Sequence, residues 1–332
     1  METNVNTIDQ SQPLYKWITT IFRIIISVVI LYFLISLVQW QNVYAAYTTA
    51  DATFIFYALA FLTFNLGIRI FKWRVMLYSV KEKPSFYEAF GSVMLGISLG
   101  SFTPGEVGEY AGRALHITDA RRSHLVGLVL LDKAQIFIVM GVAGFISFAV
   151  LTIHSLLYLC VIALILCSVS VLLLLRMDTL ANIGHHINKS IFQKPWLTNI
   201  LDGFSLLKPN QILLTSIYTI LFHVVIVFQM YFLLNAFSSI SFFDTFIGTS
   251  ALLFAKSLIP ISLGDIGVRE AGSIFIFSIF QITQAAALNA SLLLFTINIF
   301  IPSVVGVYFI RHQQITTSPI FQFFKKSKSS ND

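Results

Sequence analysis

Six apolar runs, each long enough to cross a lipid bilayer as a helix, dominate this sequence. They cover residues 18–40, 53–71, 125–150, 156–175, 212–237 and 285–310. A spanning helix needs about 20 apolar residues. Only 11% of the 332 residues are charged, whereas a soluble domain carries roughly a quarter, so this chain could not cover a water-exposed surface. We therefore expect an all-α, polytopic membrane helical bundle that forms one integral membrane domain over residues 1–332.

Basic residues occur in alternate loops between these runs. They precede the first run and follow the second, fourth and sixth, and Lys72 is counted in the loop after the second. The loops without Lys or Arg are 41–52, 152–155 and 238–245. Because cytoplasmic loops carry the excess of Lys and Arg, we expect a protein of the cell membrane with both termini in the cytoplasm. The net charge of +6 is spread over these loops, which argues against nucleic-acid binding.

Two further apolar regions, 88–117 and 246–280, are too long for one span, and Gly, Pro and acidic residues interrupt each near its middle. Basic residues flank the first region on both sides, so it is expected to enter the membrane from the cytoplasm and return there. Loops without basic residues flank the second, which is expected to enter from outside. Both regions are predicted to be re-entrant or broken helical hairpins. About 176–210 is then a cytoplasmic linker, and 312–332 a flexible C-terminal tail.

The two interruptions share one sequence pattern. A hydroxyl residue, any residue, Gly, an acid, a β-branched residue and Gly occupy 103–108 and again 262–267, 159 residues later. The flanking spans run in opposite directions, so we expect inverted repeats at about 53–150 and 212–310. The expected hinge and turn residues are Pro104, Gly105, Gly108, Pro260, Gly264 and Gly267. Paired broken segments of this kind indicate a transporter's substrate site, and helix starts after Gly108 and Gly267 are expected to offer free N–H groups to an anion.

Charged residues near the interruptions are expected inside the membrane, where each costs roughly 2.5–3.5 kcal/mol to insert. They are Glu106, Glu109, Arg113, Asp132, Lys133, Lys256, Asp265, Arg269 and Glu270. The basic members suit a phosphate head group, and the acidic members could carry protons or bind cations. The alternative is that they pair among themselves and hold the hairpins together. Glu109 with Arg113, and Asp265 with Arg269, have the four-residue spacing of a helical ion pair.

Two stretches carry a resemblance to a known family. Residues 104–113 resemble the first signature of the lysylphosphatidylglycerol synthase transmembrane-region (flippase-like) family, and 259–270 resemble its second, P-x-S-x-G-G-x-G-x-R-E. Asp265 replaces the second Gly of the usual Gly-Gly. The adjacent Asp132 and Lys133 resemble the family's Glu-Arg pair. The resemblance implies an eight-segment helical domain that moves lipids across the bilayer. The soluble synthase domain of fused members is not expected here, so aminoacyl-lipid synthesis is not expected either.

The function that this sequence predicts is a membrane lipid translocase, not an enzyme, for an anionic phospholipid or a polyprenyl-phosphate-linked lipid. One alternative is an ion-coupled transporter of a small solute. Another is a non-catalytic membrane component of a lipid or glycan assembly pathway. Expected partners are membrane lipids and enzymes of lipid or glycan synthesis. The sequence has no P-loop and no His-Glu-x-x-His motif, and neither a cofactor nor a metal is expected.

Overall fold

The computed structural model describes residues 32, 40–103, 105–152, 158, 161–162, 164–169, 176–259 and 265–312. Within these ranges the regular elements are helices, and no strand occurs. The predicted spans 18–40 and 156–175 lie largely outside them, as does the predicted tail 312–332. The main helices are α1 (Trp40–Thr48), α2 (Ala52–Leu77), α3 (Phe86–Ser101), α4 (Val107–His116), α5 (Arg122–Thr152), α6 (Met177–Ile187), α7 (Pro195–Leu201), α8 (Pro209–Asn235), α9 (Phe242–Ser257), α10 (Val268–Ser278), α11 (Gln284–Phe295) and α12 (Ile301–His312).

Four helical segments among the described residues are apolar and long enough to cross a membrane. They are Ala52–Leu77, Arg122–Thr152, Pro209–Asn235 and Gln284–Phe309. The shortest have 26 residues, which at about 1.5 Å per residue extend about 39 Å, more than the roughly 30 Å of a bilayer's hydrocarbon core. Four of the six predicted runs therefore form helices that could span a membrane. The last of these segments contains a π-helical turn, Thr296–Phe300, between α11 and α12.

The first interrupted region folds into two short antiparallel helices, α3 and α4. Ser85 accepts a hydrogen bond from the backbone N–H of Glu88 and forms a capping box with it at the start of α3. The turn between the helices contains Gly105 and Glu106, both with positive φ (59° and 56°). Along the pair, Ser92 donates a hydrogen bond of 2.9 Å to the backbone carbonyl of Arg113, near the open end of the hairpin.

The second interrupted region forms the corresponding pair, α9 and α10. Ser241 caps α9 by accepting a hydrogen bond from the backbone N–H of Asp244. The described part of the turn contains Asp265, with φ of 60°, and Gly267, with φ of 91°. Asp265 and Glu106, which the sequence pattern aligns, thus share the left-handed conformation. The predicted turn residues Pro104, Pro260 and Gly264 lie outside the described residues.

The four arms of these hairpins are short. The longer arms, α3 and α9, have 16 residues each, and a 16-residue helix is about 24 Å long. That length is less than the roughly 30 Å hydrocarbon thickness of a bilayer. Each arm is therefore shorter than that thickness, and both regions are interrupted, as the sequence predicts.

The packed core has two main parts, one for each hairpin. Trp73, Leu125 and Leu128 belong to the first, which surrounds α3 and α4, and each is fully buried. Met230 and Phe277 belong to the second, which lies around α8, α9 and α10, and both are also fully buried. Each hairpin is thereby packed into the long helices, so its turn has a defined position within the bundle.

The predicted cytoplasmic linker is helical and packed against α5. It contains α6, a π-helical turn (Asn188–Phe192), α7 and a 3-10 turn (Asp202–Ser205). A Cβ atom built at Gly203 would lie 2.7 Å from the Cα atom of Gly127 in α5. The two backbones are therefore in direct contact, which only small residues allow.

The close approach of α3 and α4 depends on Gly108. A Cβ atom at this position would overlap the backbone carbonyl of Leu99, which cannot rotate away as a side chain could. We expect Gly108→Ala to lower the free energy of unfolding by about 1–3 kcal/mol, the usual effect of overpacking. Thermal unfolding in detergent, followed by intrinsic fluorescence, would measure the change.

The matched control for this prediction is Gly67→Ala in α2. A Cβ atom at Gly67 would have no neighbour within 4 Å, and Ala is a better helix former than Gly by about 1 kcal/mol. Its melting temperature is expected to stay the same or to rise. Equal melting temperatures for the two variants would show that Gly108 has no special packing role.

Candidate functional site

Seven charged side chains form one connected cluster around the first hairpin. They are Arg69, Lys72, Glu106, Glu109, Arg113, Asp132 and Lys133. Three helices, α2, α4 and α5, and the hairpin turn supply them. The cluster has four positive and three negative members, so its charges nearly balance within the protein.

The centre of this cluster is Arg113. Its guanidinium donates a hydrogen bond of 2.8 Å to Asp132 Oδ2 and pairs with Glu109, four residues earlier on α4. It also lies 5.1 Å from the centre of the Trp73 ring. Arg113 and Glu109 are both only 2% exposed, and burial of a charge is tolerated where it is paired and hydrogen-bonded. The helical pair that the spacing of Glu109 and Arg113 indicates is therefore present.

Further cations surround the two buried carboxylates of this cluster. Arg69 Nη2 lies 3.3 Å from Glu109 Oε1, and Lys133 pairs with both Glu109 and Glu106. Lys72 pairs with Asp132. Glu109 therefore has three cationic partners and would stay paired if one of them were removed.

A second, smaller cluster lies at the other hairpin. Lys256 Nζ, at the end of α9, lies 2.6 Å from Asp265 Oδ2 in the turn. Arg269 Nη2 lies 2.5 Å from Glu270 Oε1, and the Arg269 guanidinium lies 5.0 Å from the centre of the Phe295 ring. Glu270 is fully buried. It also accepts hydrogen bonds from the backbone N–H of Gly267 (2.7 Å) and from the Ser291 hydroxyl (3.3 Å).

The ion pair that the spacing of Asp265 and Arg269 suggests is not among the ion pairs of the described residues. Asp265 precedes α10, which begins at Val268, and its backbone is left-handed. The Asp265 carbonyl accepts a backbone hydrogen bond of 3.1 Å from the Arg269 N–H, but a left-handed residue does not direct its side chain along the helix face as the four-residue pairing requires. Asp265 pairs instead with Lys256, and Arg269 with Glu270.

Two backbone N–H groups near the expected anion sites are used within the protein. Gly108 lies inside α4, and its N–H donates a hydrogen bond of 2.6 Å to the Thr103 hydroxyl. The N–H of Gly267 is bound by Glu270. These two N–H groups are thus satisfied by side chains of the protein and are not free for an anion.

A cavity of about 520 Å³ lies between the two hairpins. Its charged lining residues are Arg69, Glu106, Lys133, Lys256, Asp265 and Arg269. Its apolar lining residues include Phe137, Met140, Phe222, Ile226, Leu253 and Leu294. The volume is within the range of small-molecule binding sites, and the walls combine a charged part with an extensive apolar part.

The cavity divides the predicted site residues into two groups. Gly105, Glu106, Lys133, Lys256, Asp265 and Arg269 line it. Glu109, Arg113, Asp132 and Glu270 do not line it and are each at most 3% exposed. The first group is placed to contact a ligand, while the second holds the helices and the lining residues in position.

Two charged residues of the site, Arg69 and Lys72, were missed by sequence analysis. The predicted span ended at residue 71, and Lys72 was counted in a cytoplasmic loop, but α2 continues to Leu77 and Lys72 is 4% exposed. The signal was present, because Asn65, Arg69 and Lys72 recur at intervals of four and three residues and so share one helix face. A polar stripe on an otherwise apolar helix indicates a functional face.

Metal binding has no support within the part of the chain that the structure describes. No group of three or more His, Cys, Asp and Glu side chains there could hold a metal ion. The carboxylates of both clusters are paired with Lys and Arg.

Comparison with protein families gives a match over most of the chain. The model described as "Lysylphosphatidylglycerol synthase TM region" matches residues 20–306 of 332. This stretch includes both hairpins, both charged clusters and the cavity between them. The resemblance inferred from the two signature stretches is thereby confirmed. Among curated proteins, none matches the chain.

Proposed function

This chain belongs to the lysylphosphatidylglycerol synthase transmembrane-region family, and from that premise we propose that it moves a lipid with an anionic head group across the bilayer. The lipid class is an anionic phospholipid or a polyprenyl-phosphate-linked lipid. The family and the apolar helices indicate a membrane protein with a lipid-related function. The step from there to lipid translocation rests on the cavity between the hairpins.

The observation that carries this proposal is the amphiphilic lining of the cavity. Arg69, Lys133, Lys256 and Arg269 supply four positive charges, and Glu106 and Asp265 supply two negative charges, so the lining itself has an excess of two positive charges. When the paired charges behind the lining are counted, the two clusters together have an excess of one positive charge. Arg and Lys are the residues that bind phosphate. Phenylalanine, leucine, isoleucine and methionine side chains form much of the remaining wall and suit acyl or prenyl chains. A phosphate-bearing lipid would match both parts.

We further propose that the two hairpins are re-entrant and related as inverted repeats. Their arms are shorter than the hydrocarbon core of a bilayer, each first arm has 16 residues, and the aligned acids Glu106 and Asp265 share a left-handed backbone. In transporters built this way, the substrate binds where the broken segments meet near the midplane, and rocking of the repeats alternates access to it. The cavity, which both hairpins line, would be that binding place.

The proposed topology predicts which loop residues face the cytoplasm. Lys83 and Arg121 flank the first hairpin, Ser239 and Gln281 flank the second, and all four are exposed. With both native cysteines replaced, Cys at 83 and 121 is expected to react with an impermeant maleimide only from the cytoplasmic side. Cys at 239 and 281 is expected to react only from outside. Opposite reactivity at the two ends of one hairpin would show that it crosses the membrane.

Lipid movement itself is tested with purified protein in liposomes. Fluorescent phosphatidylglycerol, a fluorescent polyprenyl phosphate and fluorescent phosphatidylcholine are compared in a dithionite quenching assay. We expect one of the anionic lipids to move at least about tenfold faster than zwitterionic phosphatidylcholine, because only its net charge matches the cavity. Folded protein that moves none of the three lipids would refute the proposal.

A second candidate function is an ion-coupled transporter of a small solute. It is favoured by Glu106 and Asp265, carboxylates that line the cavity beside Lys133 and Lys256 and could exchange protons or cations during transport. Uptake of a labelled solute by proteoliposomes, driven by a pH or Na⁺ gradient and unaffected by lipid composition, would support it. Failure of both assays would favour the third possibility, a non-catalytic membrane component of a lipid or glycan assembly pathway.

A further inference from the structure

A group of three amide side chains lies in and behind the wall of the cavity, next to its charged part. Asn65 belongs to α2, Gln229 to α8, and Asn298 to the π-helical turn between α11 and α12. Asn65 and Asn298 line the cavity. Asn65 is 1% exposed, and Gln229 is fully buried. Single π-helical turns inside longer helices are frequent at functional sites, and here the turn carries one of the three amides.

The hydrogen bonds of this group determine which way Gln229 points. Its Nε2 donates to the backbone carbonyl of Ala58 (3.2 Å), an atom that can only accept. Gln229 and Asn298 then exchange two hydrogen bonds, of 3.0 and 2.8 Å. The backbone carbonyl therefore fixes Gln229 Nε2 as the donor end and Oε1 as the acceptor end.

The orientation of Gln229 in turn determines that of Asn65. Asn65 Nδ2 donates to Gln229 Oε1 at a distance of 3.3 Å. Because Oε1 can only accept, Asn65 must present its NH2 group there and keep its carbonyl oxygen for another partner. That oxygen, Oδ1, has no donor among the described residues and is closed to a water-sized molecule in this conformation, so a ligand reaches it only when the side chains beside it move. A buried acceptor without a partner is unfavourable, so a ligand that donates to it would gain affinity.

The position of Asn65 relates this acceptor to the charged part of the cavity. Asn65 and Arg69 are four residues apart on α2, on the same helix face and about 6 Å apart along its axis. A phosphate at Arg69 would therefore have Asn65 about one helical turn away. An ammonium donor is disfavoured there, because four cations line the same cavity and like charges repel. A neutral hydroxyl is the donor that fits.

We propose that Asn65, held by Gln229 and Asn298, forms a subsite for a hydroxyl group of the head group whose phosphate binds at Arg69. The transported lipid then carries a hydroxyl close to its phosphate, as phosphoglycerol and sugar-phosphate head groups do. This inference rests on the proposed lipid translocation and narrows its substrate class. The proposed subsite distinguishes lipids with an alcohol hydroxyl on the head group from lipids whose head group has none.

The test compares lipids with and without hydroxyl groups on head groups of similar size. One pair is phosphatidylglycerol and phosphatidylpropanol, and the other is polyprenyl phosphoglucose and polyprenyl cyclohexyl phosphate, in which a ring without hydroxyls replaces the sugar. Each pair shares one negative charge and the same chains. In liposomes with the wild-type protein, the hydroxylated member of one pair is expected to move about tenfold faster, a large effect for one hydrogen bond. The pair that shows the difference identifies the head group as phosphoglycerol or sugar phosphate.

Two variants then assign the discrimination to Asn65. Asn65→Leu keeps the size of the side chain and is expected to bring the two rates within about twofold of each other. The control is Asn289→Leu, which removes a buried amide that donates to the backbone carbonyl of Val43 (3.0 Å) and does not line the cavity. It should retain the wild-type ratio.

The outcomes separate this inference from the proposed function. Equal rates within both pairs, with the lipids moving, would sink the hydroxyl subsite and leave lipid translocation standing. A ratio unchanged in folded Asn65→Leu protein would remove Asn65 from the subsite. No movement of any lipid by folded wild-type protein would overturn both proposals. Because the paired lipids vary the ligand, the wild-type protein alone decides whether a hydroxyl is recognised, even where Asn65→Leu does not fold.

Discussion

Replacing Arg69 with Gln is expected to slow lipid movement at least about tenfold and to change the free energy of unfolding by no more than about 1 kcal/mol. Arg69 lines the cavity and is 18% exposed on its side chain. A hydrogen bond from a charged donor to a phosphate contributes about 1.5–3 kcal/mol, and 1.4 kcal/mol corresponds to a factor of ten in rate. The variant removes this interaction with the substrate.

The small expected effect on folding follows from the other partners of Glu109. Without Arg69, the buried carboxylate of Glu109 still pairs with Arg113 and Lys133. The interaction that is lost has an N–O distance of 3.3 Å, longer than the distances in the two pairs that Glu109 keeps, and Arg69 is partly exposed. We therefore expect its loss to cost about 1 kcal/mol, the net contribution of an ordinary hydrogen bond. Arg69 is therefore a cavity cation whose removal leaves no buried charge unpaired.

Arg74→Gln is the matched control for this experiment. Arg74 lies on the same helix, donates a hydrogen bond of 3.1 Å to the backbone carbonyl of Pro84, and does not line the cavity. Lipid movement would be measured by dithionite quenching, and unfolding by titration with sodium dodecyl sulfate. Arg74→Gln should move lipid at the wild-type rate. A normal rate for Arg69→Gln as well would exclude Arg69 from phosphate binding.

The helices and their breaks could be predicted because both depend on local sequence. Four of the predicted apolar runs are helices of spanning length. A long apolar segment in a bilayer must satisfy its own backbone hydrogen bonds, and a helix does so. The interruptions fell where Gly and acidic residues adopt positive φ, at Gly105, Glu106 and Asp265. These signals lie within a few residues of each other and need no knowledge of the tertiary fold.

The partners of the charged residues could not be predicted, because they are distant in sequence. Arg69 and Glu109 are 40 residues apart, and Arg113 and Asp132 are 19 apart. Lys72 lies within α2, which ends at Leu77, and not in a loop after it. Its burial depends on its pairing with Asp132 on another helix. Spacing predicted the Glu109–Arg113 pair correctly, since both residues lie on one helix.

Removing Arg269 is expected to destabilise the protein much more than removing Arg69. Glu270 is fully buried, and Arg269 is the cation that it pairs with. Arg269→Leu leaves this carboxylate buried without its cationic partner, which costs about 3–5 kcal/mol in comparable cases. Loss of lipid movement in that single variant would therefore not separate a role in transport from a role in folding.

The double variant Arg269→Leu/Glu270→Gln makes that separation. The amide carbonyl of Gln at position 270 can still accept the hydrogen bond from the Gly267 N–H that Glu270 accepts at 2.7 Å, and neither member of the former ion pair is left as a charge without its partner. Replacing a buried ion pair by neutral groups of similar volume is often close to neutral for stability. We expect the double variant to unfold within about 1–2 kcal/mol of the wild type in the detergent titration.

The rate of lipid movement by the stable double variant then shows whether Arg269 contributes to substrate binding in the cavity. If Arg269 contributes to phosphate binding, movement stays at least about tenfold below the wild-type rate although stability is recovered. Lys256→Leu is the comparison on the same hairpin. Its pair with Asp265 is more exposed, at 17% and 14% of the two side chains, so its loss should destabilise the protein less than Arg269→Leu does. A double variant that is both stable and fully active would limit Arg269 to neutralising Glu270, and the phosphate would have to be bound by Arg69, Lys133 and Lys256.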